Sequence, residues 1–119
     1  MEETKMDYIV LQRNELSRYG SADEFQGCQH GDFNVSFIWV ELPSGGGPRL
    51  HKHPYEEVFV VQEGRATFTV GSTTREVTAG HIVIVPPGLS HKFINSGEGV
   101  LRQIDIHASP QFITEWLED

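Results

Sequence analysis

His51 and His53 stand two residues apart, and Glu57 follows at the head of the apolar run Val58-Phe59-Val60-Val61. Alternate side chains of a strand point to one face, about 6.6 Å apart along it. His51, His53, Glu57, Phe59 and Val61 share that parity, so one strand would carry two imidazoles and a carboxylate on a face that continues as core. Polar groups so placed are costly unless paired, and a metal ion pairs all three at once. A plainer reading also fits: hydrogen-bonded core histidines, or a wet face. Pro54 removes a ladder donor between His53 and Glu57 and is placed to bend the segment. A fourth ligand separates these readings. The candidate is His91, which follows the run Ile82–Val85, expected to be a buried strand, and the stiff turn Pro86-Pro87-Gly88. A turn that sets a polar group at a strand entrance is a common way to build a site.

The elements that must position these residues are short. The chain has 119 residues, enough for one domain over 1–119 with one modest core, and 38% of them are apolar. Glycines and prolines punctuate it at short intervals, with runs rich in Val, Ile, Phe and Thr between them. The pattern predicts strands near 6–11, 33–42, 56–62, 65–70, 73–78, 82–85, 91–95 and 100–107, hence an all-β sandwich or barrel. Val70-Gly71-Ser72 reads as a hairpin turn. The end of the chain, Ser109 to Asp119, reads instead as a short C-terminal helix. Ser109 would cap it, Pro110 would open it, and Phe112, Ile113, Trp116 and Leu117 would form one apolar face.

Composition excludes several function classes. Nine basic residues against 17 acidic ones give a net charge of −8. Phosphate backbones and anionic lipid repel such a surface, so no nucleic-acid partner and no membrane partner is expected. Cys28 is the only cysteine and has no internal disulfide partner. The charged start, MEETKMDYIV, lacks the apolar region of a secretory signal. The expected location is cytoplasmic. No nucleophile elbow, Walker motif or dinucleotide fingerprint is present, and Gly45-Gly46-Gly47 precedes no helix that would complete a phosphate loop.

Two spaced motifs emerge when the ligand candidates are taken with their flanking glycines. Gly45, five residues, His51-x-His53, three residues, Glu57, six residues and Gly64 form the first, over 45–64. Gly80, five residues, Pro86-x-Gly88, two residues, His91, three residues and Asn95 form the second, over 80–95. In both, the chain resembles the cupin superfamily without departure, in a compact form with fifteen residues between Gly64 and Gly80. The resemblance implies a small jelly-roll-like cupin β-barrel whose mouth holds one divalent metal on His51, His53, Glu57 and His91. It also implies a homodimer paired through outer strands and terminal segments.

Three imidazoles and a carboxylate without thiolate suit Mn, Fe, Ni, Co or Zn, with Cu possible. Four protein ligands leave positions open on an octahedral ion, and open positions serve function. The expected function is that of a small-molecule metalloenzyme, of dioxygenase type or a Lewis-acid isomerase, cyclase or decarboxylase. The alternative is a non-catalytic module that binds a small ligand or a metal. Phe59, Val61 and Phe93 are expected to wall the pocket, favouring an aromatic or uncharged substrate with one metal-binding oxygen. Catalytic residues are not identifiable. Gln103, Asp105 and His107 share one face of the last strand; facing inward they would act as acid or base, facing outward they are surface. His107 is expected at the surface or a subunit interface. His81 is expected outside the site, His30 in a wet loop, Cys28 screened from solvent, and Lys52 and Tyr55 near the mouth.

Overall fold

A computed structural model describes residues 8–119. Eleven strands form, all paired antiparallel: β1 Ser17–Tyr19, β2 Ala22–Gln26, β3 Ser36–Leu42, β4 His51–Lys52, β5 Glu57–Glu63, β6 Arg65–Val70, β7 Thr73–Thr78, β8 Ile82–Val85, β9 His91–Asn95, β10 Leu101–His107 and β11 Glu115–Trp116. They make a six-stranded sheet ordered β1-β2-β3-β10-β5-β8 and a five-stranded sheet ordered β11-β4-β9-β6-β7. The architecture is the expected jelly-roll-like barrel. Among the described residues, no helix is long and apolar enough to cross a membrane.

Alternation builds the interior. On β5, Glu57, Phe59 and Val61 are buried in turn while their neighbours are less so. With Ala66, Phe68, Val77, Val85, Phe93 and Leu101, Phe59 and Val61 form the apolar core. On β10 the inward residues run Leu101, Gln103, Asp105, His107. The two strands pair Gln103 with Val61, Asp105 with Phe59 and His107 with Glu57. Their polar ends therefore meet at one end of the barrel, and their apolar ends meet at the other. The β6–β7 hairpin turns on Gly71-Ser72, with Val70 opposite Thr73. Gly71 has φ 59°, the left-handed conformation that glycine adopts without penalty.

Several expectations change. No strand forms over residues 8–11, and residues 6 and 7 lie outside the described residues. Strands β1 and β2 were not expected, because Ala22-Asp23-Glu24 has low strand propensity. Here tertiary pairing overrides propensity. β2 is laid on β3, and the buried Asp23 carboxylate accepts from Arg13 and Arg18. The run 82–85 is not wholly buried: it is an edge strand whose Ile82 and Ile84 face outward.

The short C-terminal helix is absent. Residues 109–119 form an extended strap across the barrel mouth, ending in β11 on β4, with Trp116 opposite His51. A helix of nine or so residues is marginal in water. The barrel offers this backbone better partners. Phe112 N–H donates to the Gln26 side-chain oxygen (3.0 Å), Leu117 N–H donates to the Leu50 carbonyl (2.9 Å), and the Pro110 carbonyl accepts from Cys28 N–H (2.8 Å).

Candidate metal centre

β4, β5 and β9 deliver the site. His51 pairs directly with His91 across β4 and β9, and Glu57 opens β5 beside them. The turn between His53 and Glu57 lets His53 face the same point. One donor atom from each of His51, His53, Glu57 and His91 lies within 4.8 Å of every other, and all four residues are buried.

The Nδ1 atoms settle which nitrogens face inward. His51 Nδ1 lies 2.6 Å from the Arg49 carbonyl oxygen, His53 Nδ1 lies 2.8 Å from that of Ile113, and His91 Nδ1 lies 3.0 Å from that of Leu89. A carbonyl only accepts, so each Nδ1 carries the proton and donates. In its neutral form each ring then presents an Nε2 lone pair. Glu57 Oε1 stands 3.1 Å from His53 Nε2 and 3.1 Å from His91 Nε2. Lone pairs on neutral imidazoles and a carboxylate oxygen repel one another unless a cation lies between them. His53 Nε2 is, moreover, buried without a hydrogen-bond partner. The backbone carbonyls behind the rings fix orientation and tautomer, the arrangement that holds histidine ligands toward a metal. The donor set thus fits a metal ion.

The electrostatics agree. Burial, aided by the neighbouring His91 and His53, lowers the His51 imidazole from 6.5 to about 4 against the pull of the Arg49 carbonyl, so the ring is neutral at physiological pH. Burial alone would raise Glu57. The N–H of His107, close to its second oxygen, leads the influences that oppose burial, and the carboxylate lies below its usual range. Burial, then the negative charge of Glu57, pushes Asp105 well above the usual range, while the Gln103 amide, donating to Asp105 Oδ1 at 2.8 Å, acts the other way. Burial also pushes the Tyr55 hydroxyl up to about 12.

A pH prediction follows for the metal-free protein. Below 6.5 the unfolded chain binds a proton at His51 that the folded chain refuses until about pH 4. Stability contributed by His51 is therefore full above pH 6.5 and lost as pH falls to about 4, an effect on the order of 3 kcal/mol. Asp105, raised on folding, contributes with the opposite sign as pH rises. Comparing the wild type with His51→Gln removes the Asp105 contribution. Urea unfolding at pH 7 and pH 4.5 should show the wild type losing stability relative to the variant on acidification. An unchanged difference contradicts the His51 environment described here.

Beyond the ligand candidates, the mouth opens into a cavity of about 400 Å³ bounded by Ile38, Val40, Phe93, Asp105, His107 and Trp116. Phe93 is a wall, as expected. Phe59 and Val61 are not: they belong to the core beneath. His107 corrects a second expectation. It lies neither on the surface nor at an interface; it is 2% exposed, with Nε2 3.0 Å from Glu57 Oε2. Gln103 and Asp105 are buried with it. The polar alternation of β10 was visible in the sequence. Which face it gave to the barrel depends on the register with β5, which carries no local signal. Tyr55 is buried at the mouth and its hydroxyl lies 2.7 Å from His107 Nδ1. His81 stays outside, its Nδ1 accepting from Thr78 N–H at 2.9 Å. His30 stacks on Phe25 with ring centroids 5.0 Å apart. Cys28 is exposed rather than screened.

Comparison with known proteins agrees with this fold. A family model described as "Cupin domain" matches residues 38–107. An uncharacterized protein of Streptomyces coelicolor is 36% identical over 78 residues, which are 66% of this chain and 73% of that protein. The HTH-type transcriptional regulator PuuR of Escherichia coli is 28% identical over 109 residues, 87% of this chain and 58% of the regulator. Among solved structures, oxalate decarboxylase from Bacillus subtilis superposes with a TM-score of 0.84 at 19% identity, over 97% of this chain and 33% of the decarboxylase. A conserved protein with a double-stranded beta-helix domain from Klebsiella pneumoniae gives 0.71 at 20% identity, over 95% of this chain and all (100%) of that one. At these identities the structural likeness is one of fold. The chain spans about a third of the decarboxylase.

Proposed function

The chain belongs to the cupin domain family, and from that premise we propose that residues 1–119 form one metal-dependent cupin domain acting on a small organic molecule. His51, His53, Glu57 and His91 hold one divalent transition metal. The observation that carries this reading is the convergence of inward Nε2 lone pairs on the Glu57 carboxylate, with every Nδ1 proton committed to a backbone carbonyl. When bound, the ion supplies Lewis-acid polarisation of a ligand oxygen or a place to activate dioxygen. The protein supplies the rest. Ile38, Val40, Phe93 and Trp116 favour an uncharged, flat or aromatic body, and among the described residues no lysine or arginine lines the cavity to receive a second anionic group. Asp105, with its carboxyl held toward the protonated form, stands where it can donate to a bound molecule. The reaction class is dioxygenation, or non-redox isomerisation, cyclisation or decarboxylation.

A homodimer and a cytoplasmic location complete the proposal. The outer face of β2 and β3 supports the dimer: with Ile9, Leu11 and Phe33, the side chains of Phe25, Phe37 and Trp39 line an apolar groove of about 550 Å³.

The match to a transcriptional regulator favours a second reading, in which the same pocket binds a small ligand without turnover. One experiment separates the two. Metal-loaded protein is incubated with a panel of uncharged aromatic and dicarbonyl compounds, with dioxygen uptake and compound loss followed together. Uptake with compound loss is expected of the dioxygenase, and loss without uptake of the Lewis-acid enzyme. Saturable binding with no loss supports the binding module. Neither binding nor loss across the panel contradicts the proposed substrate class.

A further inference from the structure

A chain of polar contacts runs from the C-terminal strap to the Glu57 carboxylate. Ile113 N–H donates to the Tyr55 hydroxyl oxygen at 3.1 Å. That hydroxyl has two imidazole nitrogens within reach, His107 Nδ1 at 2.7 Å and His53 Nδ1 at 3.3 Å. His53 Nδ1 already carries the proton it gives to the Ile113 carbonyl, so it cannot accept another. The Tyr55 proton therefore goes to His107 Nδ1. This network assigns the His107 tautomer and leaves its ring proton on Nε2, 3.0 Å from Glu57 Oε2. Tyr55, His107 and Glu57 are all buried.

The two oxygens of Glu57 thus face different chemistry. Oε1 faces the lone pairs of His53 and His91, and Oε2 faces the N–H of His107. His107 stands outside the four-residue cluster. Its contact with Oε2 is short but off-axis, leaving Nε2 without a fully aligned acceptor.

We infer that His107, oriented by the Tyr55 hydroxyl, is a positioning residue that turns the Glu57 carboxylate so that Oε1 alone is offered to the imidazole cluster. The inference rests on the reading of that cluster as a metal site. Among the described residues, His107 is the N–H donor that stands by the second oxygen of this buried carboxylate. Without His107 it can rotate, and its second oxygen loses its partner in a dry site. The partners that orient metal ligands typically contribute about 10–100-fold to metal affinity.

The test titrates metal-free protein with Co²⁺ and follows visible absorption, which reads affinity and ligand field together. His107→Phe should lower Co²⁺ affinity by about 10–100-fold and alter the spectrum. His107→Gln, whose side-chain N–H reaches toward the place of Nε2–H, should recover most of both. Tyr55→Phe should lose several-fold, and adding it to His107→Phe should cost nothing further, because the hydroxyl acts through the imidazole. Wild-type affinity and spectrum in His107→Phe overturn the inference, as does a loss that His107→Gln does not relieve. Should His107→Phe fail to fold, Tyr55→Phe decides alone: unchanged affinity and spectrum overturn the inference. Failure of the metal reading looks different. There the wild type binds no Co²⁺ at all, whereas loss of the inference alone leaves binding that His51→Ala abolishes and His107→Phe does not touch.

Discussion

Replacing His51 with alanine, or Glu57 with glutamine, is expected to lower metal affinity more than about 100-fold while the barrel stays folded, since the first removes a donor and the second removes a donor's charge, rather than the support behind one. In His51→Ala the lost atom is an Nε2 lone pair on a ring that the Arg49 carbonyl holds in place. In Glu57→Gln the shape is kept, but the one negative charge facing His53 and His91 is gone. The barrel tolerates both changes because its apolar core lies beneath the mouth, in Phe59, Phe68, Phe93 and their neighbours. Glutamine even relieves the metal-free protein of a buried carboxylate, a group that is expensive to desolvate. Metal analysis and thermal unfolding on the same preparations check both halves. Unchanged stoichiometry in both variants contradicts the ligand assignment. A chain that no longer folds in both contradicts the separation of site from core.

The mirror experiment is Phe59→Ala, with stability expected to fall by about 3–5 kcal/mol. Phe59 is 1% exposed and meets Phe68 edge-on at 5.0 Å and Phe93 at 5.8 Å between ring centroids. Removing it leaves a cavity that three surrounding strands cannot close. Small domains have about 5–15 kcal/mol of stability, so this loss is a large share of the whole. The His91 ring also packs edge-on against Phe59, at 5.8 Å, so the variant should bind metal more weakly as well as unfold more easily. Urea unfolding measures the first effect; a loss below about 1 kcal/mol would mean that the core does not centre on Phe59.

These contrasts show what a reader of the sequence could and could not see. His51, His53, Glu57 and His91 were legible because motif spacing and strand parity are local: two imidazoles two residues apart and a carboxylate heading an apolar run need no tertiary knowledge. The roles of the other motif residues were not legible. Asn95 is structural. Its amide donates to the carbonyls of Leu42 and Gly99, each at 2.9 Å, and its Oδ1 accepts from Gly97 N–H at 3.0 Å, pinning the loops below the site. Gly45 has φ 85° and open space about it, whereas a Cβ on Gly47 would stand 2.0 Å from the Phe93 carbonyl oxygen. Spacing marks the first and says nothing of the second.

The C-terminal segment misled for a physical reason. Ser109-Pro110 and the apolar spacing that follows are sound helix signals, but they describe an isolated peptide. In the barrel, Ile113 N–H donates to the Tyr55 hydroxyl and Leu117 N–H to the Leu50 carbonyl, and Trp116 covers His51, with the Arg49 guanidinium 4.8 Å above the indole. Tertiary pairing decides the conformation, and the strap becomes part of the site wall. His107 was misplaced for a related reason. Its neighbour Glu57 is fifty residues away in the chain, and only the β5–β10 register brings the two together.

His51, His53, Glu57 and His91, whose donor atoms cluster within 4.8 Å, are proposed to hold one cation. Elemental analysis by mass spectrometry, on untagged protein purified without chelating columns, tests it most directly. About one divalent transition-metal ion per chain is expected, lost in His51→Ala and displaced as acid competes for the ligands. Protein that is metal-free as isolated and stays metal-free when titrated with Mn²⁺, Fe²⁺, Co²⁺, Ni²⁺, Cu²⁺ and Zn²⁺ would contradict it.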